Sequence, residues 1–177
     1  MKPNLLPTIL AGALCLGAVQ PAMADHLLGH QQIAPGSEPQ MFDVQQHNSH
    51  MRRAVHEARR TVGYFIKELQ HPSTGQYDFE VKKPFRQGDV VEHLWLSGVK
   101  FRGNRFDGYV DNVPRKIKGL KLGAHVSVNP NEISDWAFVQ DGRLIGGYTI
   151  RVLYDELTPG QRAQFSKEAD FKIANPR

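Results

Sequence analysis

Between residues 51 and 69, apolar side chains recur three and four apart: Met51, Ala54, Val55, Ala58, Val62, Phe65, Ile66 and Leu69. That spacing predicts an amphipathic α-helix with one stripe on a core. Either Asp43, with Gln46 three residues on, or Asn48-Ser49 caps its start. His71-Pro72 ends it, because the residue before proline is pushed out of the helical region. Gly63 lies inside the stripe, where it costs about 1 kcal/mol relative to alanine. A close approach by another element would account for it.

The period then changes to two. Tyr77, Phe79 and Val81 alternate with Gln76, Asp78 and Glu80, a half-buried strand that stops at Lys82-Lys83-Pro84. Residues 90–101 read as a second strand, joined through Gly103-Asn104 to a third at 105–110. With those two residues as the loop, Phe101 faces Phe106 and Lys100 faces Asp107, an aromatic pair and an opposite-charge pair in adjacent rungs. Asn112-Val113-Pro114 ends that hairpin, a basic loop follows, and 124–128 form a short fourth strand.

Residues 133–153 read as a further hairpin about Asp141-Gly142, a dipeptide suited to a two-residue turn, and supply strands five and six. Its register sets Val139 against Leu144, Ala137 against Gly146, Asp135 against Tyr148 and Ile133 against Ile150. On the other face Phe138 meets Ile145, Trp136 meets Gly147, Ser134 meets Thr149 and Glu132 meets Arg151. Apolar residues on both faces predict a sheet that is covered on both sides or curled towards a barrel. Gly146-Gly147 can instead mark a bulge, which would flip the parity downstream. Thr158-Pro159-Gly160-Gln161 opens a last helix with Phe165 and Ala169 on its apolar face. The fold class is therefore α+β: an N-terminal amphipathic helix packed on a curled, mainly antiparallel sheet of about six strands, then a short C-terminal helix.

The N-terminal residues change the picture of compartment. Lys2, the apolar run at 5–19 and Ala22-Met23-Ala24 have the form of a signal peptide cleaved before Asp25. The run is interrupted by Pro7 and is short of the roughly 20 apolar residues a bilayer span needs, so no stable membrane span is expected. Leu14 before Cys15 is not the small residue that lipid attachment requires. Residues 25–42, rich in Pro, Gly and polar groups, read as a flexible leader, and 43–177 as a single domain. The protein is expected in the periplasm, and its mature chain lacks cysteine, which excludes disulfides and thiolate chemistry.

Candidate chemistry is sparse. Asp135 shares a face with apolar residues, so it must be paired there, and it is the first candidate for acid or base catalysis. Tyr148 and His93 are its candidate partners, in a small hydrolase or isomerase. The structural alternative holds Asp135 by the Tyr148 hydroxyl or uses it to cap a turn. Glu92 and His93 adjoin on one strand and point to opposite faces, so they cannot serve one site. His47 and His50, with His26 or His30 on the leader, are the weak metal candidates. Arg115, Lys116, Lys118 and Lys121 form a basic loop, and Arg52, Arg53, Arg59 and Arg60 stud the outer side of the first helix. Such faces attract phosphate, an anionic membrane or an acidic protein. A net charge of +4 is modest and the chain is read as exported, so nucleic acid is not expected. No nucleophile elbow, phosphate loop or HExxH helix is present, and no cofactor is expected.

Glu92-His93-Leu94-Trp95-Leu96, Gly108 with Asn112-Val113-Pro114, and above all Ile133-Ser134-Asp135-Trp136 with Gly146-Gly147-Tyr148-Thr149-Ile150-Arg151-Val152-Leu153 resemble the YegJ-like family of small bacterial proteins, a domain of unknown function. Trp136, Gly146, Gly147 and Arg151 are the structural signature of that likeness. It implies no activity and no catalytic residues; some loosely similar domains are suspected immunity proteins. The expectation is a non-enzymatic exported protein that binds another protein, an acidic one if the basic loop is the contact. A lipid or small ligand inside a curled sheet is the further alternative.

Overall fold

The computed structural model describes residues 41–174, with side chains from Ser49 onward. Helix α1 spans Met41–Gln70, starting ahead of both expected caps and stopping before His71-Pro72. Then come β1 (Gln76–Gln87), β2 (Val90–Arg102), β3 (Arg105–Val110) and β4 (His125–Val128), a 3-10 turn (Pro130–Glu132), β5 (Asp135–Gln140), β6 (Arg143–Gly146), α2 (Tyr148–Glu156) and α3 (Pro159–Glu168). The strands form one antiparallel sheet in the order β4-β3-β2-β1-β5-β6 that does not close into a barrel.

The apolar stripe of α1 lies on the inner face of this sheet. Ala58 and Phe65 are fully buried there with Val81, Leu94, Leu96, Phe106, Val110, Val128, Trp136 and Phe138. Alternate residues of the same strands, Trp95 on β2 and Ala137 and Val139 on β5, form a second core on the outer face with Leu144, Ile150 and Phe171. The sheet is thus covered on both sides where β1, β2, β5 and β6 meet. The space between α1 and the sheet is filled by rings: Phe65 lies 5.3 Å from Trp136 and Phe79 stacks on Phe138 at 4.8 Å. Aromatic pairs of this kind add about 0.5–1.5 kcal/mol each beyond area burial. The Trp136 Nε1–H reaches back to the Ala58 carbonyl at 2.9 Å, which fixes α1 in register over β5.

Several expected details hold. Phe101 faces Phe106 and Lys100 faces Asp107, as the Gly103-Asn104 turn requires. Ala137, Phe138 and Val139 meet Gly146, Ile145 and Leu144. Thr158 and Gln161 form the capping box of α3.

Three expectations are corrected. First, β1 continues through Pro84 to Gln87. Strand β5 begins at Asp135, opposite Lys82, so beyond that point β1 has β2 on one side only and the missing N–H of Pro84 is not needed. Second, strand six ends at Gly146. Gly146 and Gly147 both adopt left-handed backbone (φ 70° and 61°), the chain turns, and residues 148–156 are helical. The rungs Asp135–Tyr148, Ser134–Thr149, Ile133–Ile150 and Glu132–Arg151 therefore do not exist, and of Trp136–Gly147 there remains the Gly147 N–H bond to the Trp136 carbonyl at 2.8 Å. Trp136 instead covers Gly146, where a Cβ would collide with its indole and carbonyl. Third, nothing lies within 4 Å of a Cβ built on Gly63, so no close approach explains that glycine. Gly63→Ala is accordingly expected to stabilise the protein by about 1 kcal/mol. A thermal melt no higher than that of the parent would contradict this.

Candidate functional site

The left-handed pair Gly146-Gly147 turns the chain into α2, which packs against α1 with Tyr148 on the inner core and Ile150 on the outer, and Gly147 is its N-cap, a residue with no side chain to satisfy the first helical N–H groups. Asp135, fully buried at the start of β5, satisfies them from across the sheet. Its Oδ1 accepts from the Trp136 and Tyr148 N–H groups at 2.9 and 3.1 Å, and its Oδ2 from the Thr149 N–H at 2.8 Å and hydroxyl at 2.6 Å. The Lys82 ammonium donates to the same Thr149 oxygen at 3.3 Å and lies 5.3 Å from the Trp95 ring. Burial pushes the pKa of Asp135 up, and the Thr149 bond and Lys82 pull it back. The result is a buried helix cap, the second of the two structural roles expected for this residue.

Tyr148 turns its hydroxyl to Thr61 on α1, 2.9 Å away, not to Asp135. His93 is exposed and its Nδ1 lies 2.9 Å from the hydroxyl of buried Ser134. The pKa of His93 is lowered by the protein atoms crowding it and by the cations Lys82, Arg86 and Arg59. Asp135, Tyr148 and His93 thus have separate partners. A cleft of about 450 Å³ at the β5–β6 turn, lined by Asp141, Arg143, Asp170 and Lys172, includes none of the three. Nor does one of about 300 Å³ on the outer face, lined by Lys100, Arg102, Asp107, Tyr109 and His125. Arg151, expected beside Glu132, donates to the carbonyls of Gly146, Leu144 and Ala174, tying β6 to the C-terminal segment.

His50 is exposed on α1; the His47 side chain, His26 and His30 lie outside the described residues. Among the described residues no three His, Cys, Asp or Glu side chains are grouped to hold a metal. Arg52, Arg53, Arg59 and Arg60 are exposed, with Arg59 bonded to the Ile133 carbonyl and Arg60 to Glu57.

The basic loop is built. From Pro114 to β4 it has no regular secondary structure, yet Glu92 on β2 accepts the N–H groups of Arg115, Lys116 and Ile117 at 2.8, 2.9 and 3.1 Å. Gln87 accepts that of Lys118 at 2.9 Å. Asn112 fastens the root of the loop by accepting the Trp95 N–H at 2.7 Å. The side chains of Arg115, Lys116, Lys118 and Lys121 are left exposed, together with Val113 and Leu122. Hydrogen bonds to a charged acceptor are each worth about 1.5–3 kcal/mol, but surface exposure reduces this. Glu92→Ala is therefore expected to cost about 1–3 kcal/mol and to speed amide hydrogen exchange at 115–118. Unchanged exchange there would show that Glu92 does not hold the loop.

Beside the root sits a group the sequence pattern did not mark. Glu80 and Asp111 on the outer face each have one carboxyl oxygen, and Trp95 its Nε1–H, with no hydrogen-bond partner among the described residues. Glu80 is pushed well up by burial and by Asp111 and Asp78. Asp111 rises to about 6, again chiefly by burial, with a Ser97 hydrogen bond opposing it. A carboxyl group whose folded pKa is raised binds its proton more tightly in the fold, so it stabilises the protein at low pH. That contribution is complete below about pH 4 and is lost as pH rises through about 6. Asp111→Asn should thus exceed the parent in stability above pH 6, with the gap closing towards pH 4 in urea titrations. A gap independent of pH would rule the assignment out.

A small α+β domain carrying one fastened basic loop on a two-faced antiparallel sheet is the class that these elements define. Residues 48–173 match the family described as an uncharacterized protein conserved in bacteria (DUF2314), and the chain belongs to that family. It is 33% identical over 144 residues to a putative ankyrin repeat protein of Neisseria meningitidis serogroup B, covering 77% of this chain and 57% of that protein. It is 29% identical over 100 residues to the uncharacterized protein YegJ of Escherichia coli K12, covering 56% of this chain and 64% of YegJ. The chain therefore spans about three-fifths of the length of these two relatives. No solved structure matches.

Proposed function

We propose that this chain is an exported, non-enzymatic protein whose basic loop binds an acidic surface of another protein. The carrying observation is the capture of four consecutive loop amides, those of Arg115, Lys116 and Ile117 by Glu92 and that of Lys118 by Gln87, which ties down the backbone that carries the exposed Arg115, Lys116 and Lys118. A contact surface ordered before binding loses less conformational entropy when the partner arrives. Residues 112–131 contain no Asp or Glu, so the cations are not neutralised by neighbours along the chain. The Neisseria relative, named as a putative ankyrin repeat protein, supports a setting of protein interaction. Export, to the periplasm where the host has one, is supported by Lys2, the apolar run at 5–19 and Ala22-Met23-Ala24.

An immunity role, with a toxin as the acidic partner, is the specific form of this reading. The test is capture from periplasmic extract at low and high salt, with a Lys116→Glu, Lys118→Glu, Lys121→Glu variant beside the parent. A partner retained at low salt by the parent and lost by the variant is expected; recovery of nothing by either, or equal recovery by both, would overturn the reading. The mature N-terminus should be Asp25, and an intact Met1 in exported material would contradict cleavage.

A further inference from the structure

The two edges of the sheet are treated differently. Outside β6, Lys172 pairs with Arg143: Leu144 N–H donates to the Lys172 carbonyl at 3.0 Å and Lys172 N–H to the Gly142 carbonyl at 2.8 Å. Beyond β4, at the other end of the strand order, no strand follows among the described residues. Val110 N–H donates to the Ala124 carbonyl at 2.9 Å. Antiparallel ladders alternate, so Gly108–Val126 and Phe106–Val128 are the bonded rungs, and the backbone N–H and C=O of His125 and Ser127 point away from β3.

Arg105 crosses β4 to this edge. Its Nε donates to the Ser127 hydroxyl at 2.8 Å, Nη2 to the Ser127 carbonyl at 3.2 Å and Nη1 to the Asn129 side-chain oxygen at 2.8 Å. A cation stands at each end of this edge: Lys121, whose carbonyl accepts the Ala124 N–H at 3.1 Å, just before its beginning, and Arg105 at its end.

We infer that the outer edge of β4 receives an extended acidic segment of the partner protein as a seventh strand, with carboxylates meeting Arg105 and Lys121. This rests on the reading of the loop as the contact for an acidic partner, and adds the mode of binding. A second copy is the poorer occupant. Antiparallel pairing of β4 with itself would bring Arg105 of one copy beside Lys121 of the other, and like charges oppose that. A four-residue edge offers few main-chain bonds, and its Ser127 carbonyl already accepts from Arg105, so charge must carry much of the affinity and salt must weaken it.

The probe is a blocked peptide of alternating Val and Glu, with Val-Lys and poly-Glu peptides as comparisons, added to the full chain and followed by backbone amide NMR. Ser127→Pro removes an outward donor while leaving the bonded rungs of β3–β4 untouched, a substitution that edge strands accept. The Val-Glu peptide should shift the His125 and Ser127 amides and bind about tenfold more weakly to Ser127→Pro. Loop amides shifting with His125 and Ser127 unmoved, or unchanged affinity in a folded Ser127→Pro, would overturn strand addition and leave the acidic-partner reading standing. Failure of both acidic peptides at low salt would remove that reading as well. Equal binding of Val-Lys would overturn the charge argument. Dimerisation of the parent, abolished by Ser127→Pro, would assign the edge to a second copy. If Ser127→Pro does not fold, the NMR shifts of the parent decide alone.

Discussion

Asp135→Ala is expected to lower the unfolding free energy by about 3–5 kcal/mol, enough to unfold many domains of this size. The carboxyl group is completely buried and its two oxygens meet four donors. Three of those donors are backbone N–H groups. Without Asp135, the Tyr148 and Thr149 N–H groups at the start of α2 lie against the sheet with no acceptor, because the N-cap is a glycine. Asn at this position keeps the shape but turns an amide group towards two of the donors, so Asp135→Asn should fall between Ala and the parent. Thr149→Ala, which deletes one donor and leaves the cap in place, should cost about 1–2 kcal/mol. Urea unfolding of the three variants measures this order. If Asp135→Ala unfolds like the parent, the cap is not what positions α2. A carboxylate committed in this way is sealed from substrate, so the same series separates a structural Asp135 from a catalytic one: loss of fold should accompany every loss of function.

The second large effect belongs to Gly146→Ala, with an expected cost of about 2–4 kcal/mol. Two penalties coincide there. The backbone is left-handed (φ 70°), which costs an L side chain about 1 kcal/mol or more. An added Cβ would also overlap the Trp136 carbonyl and indole. Gly142 separates the two, since it is equally left-handed (φ 71°) but has nothing within 4 Å of a built Cβ. Gly142→Ala should therefore show the backbone penalty alone. Equal destabilisation by the two substitutions would mean that contact with Trp136 contributes nothing.

Much of the architecture is legible in local pattern. The stripe from Met51 to Leu69, the turn at Gly103-Asn104 with its paired phenylalanines, and the Thr158–Gln161 capping box are decided by interactions within a few residues. The error at 148–153 has a definite cause. Tyr148-Thr149-Ile150-Arg151-Val152-Leu153 is rich in β-branched and aromatic residues and follows a hairpin turn, so local preference favours a strand. Three hydrogen bonds that Asp135 accepts from Tyr148 and Thr149, with burial of Ile150 against the outer-face core, favour a helix, and tertiary contacts outweigh propensities of a few tenths of a kcal/mol per residue. The Gly-Gly pair was visible, but its use as a chain reversal depends on the indole that sits over it.

The candidate site divides in the same way. Arg115, Lys116, Lys118 and Lys121 can be picked out by charge alone. That Glu92 holds their backbone cannot, because Glu92 lies 23 residues from Arg115 in the chain. Glu80, Asp111 and Trp95 carry no spacing signal, for they meet only when β1, β2 and the end of β3 lie side by side. By itself, the sequence determined where helices and strands must put their apolar faces, which is a matter of period. Only the tertiary structure decided which polar groups are left buried in company, because burial and long-range pairing arise when the two faces of the sheet are covered at once.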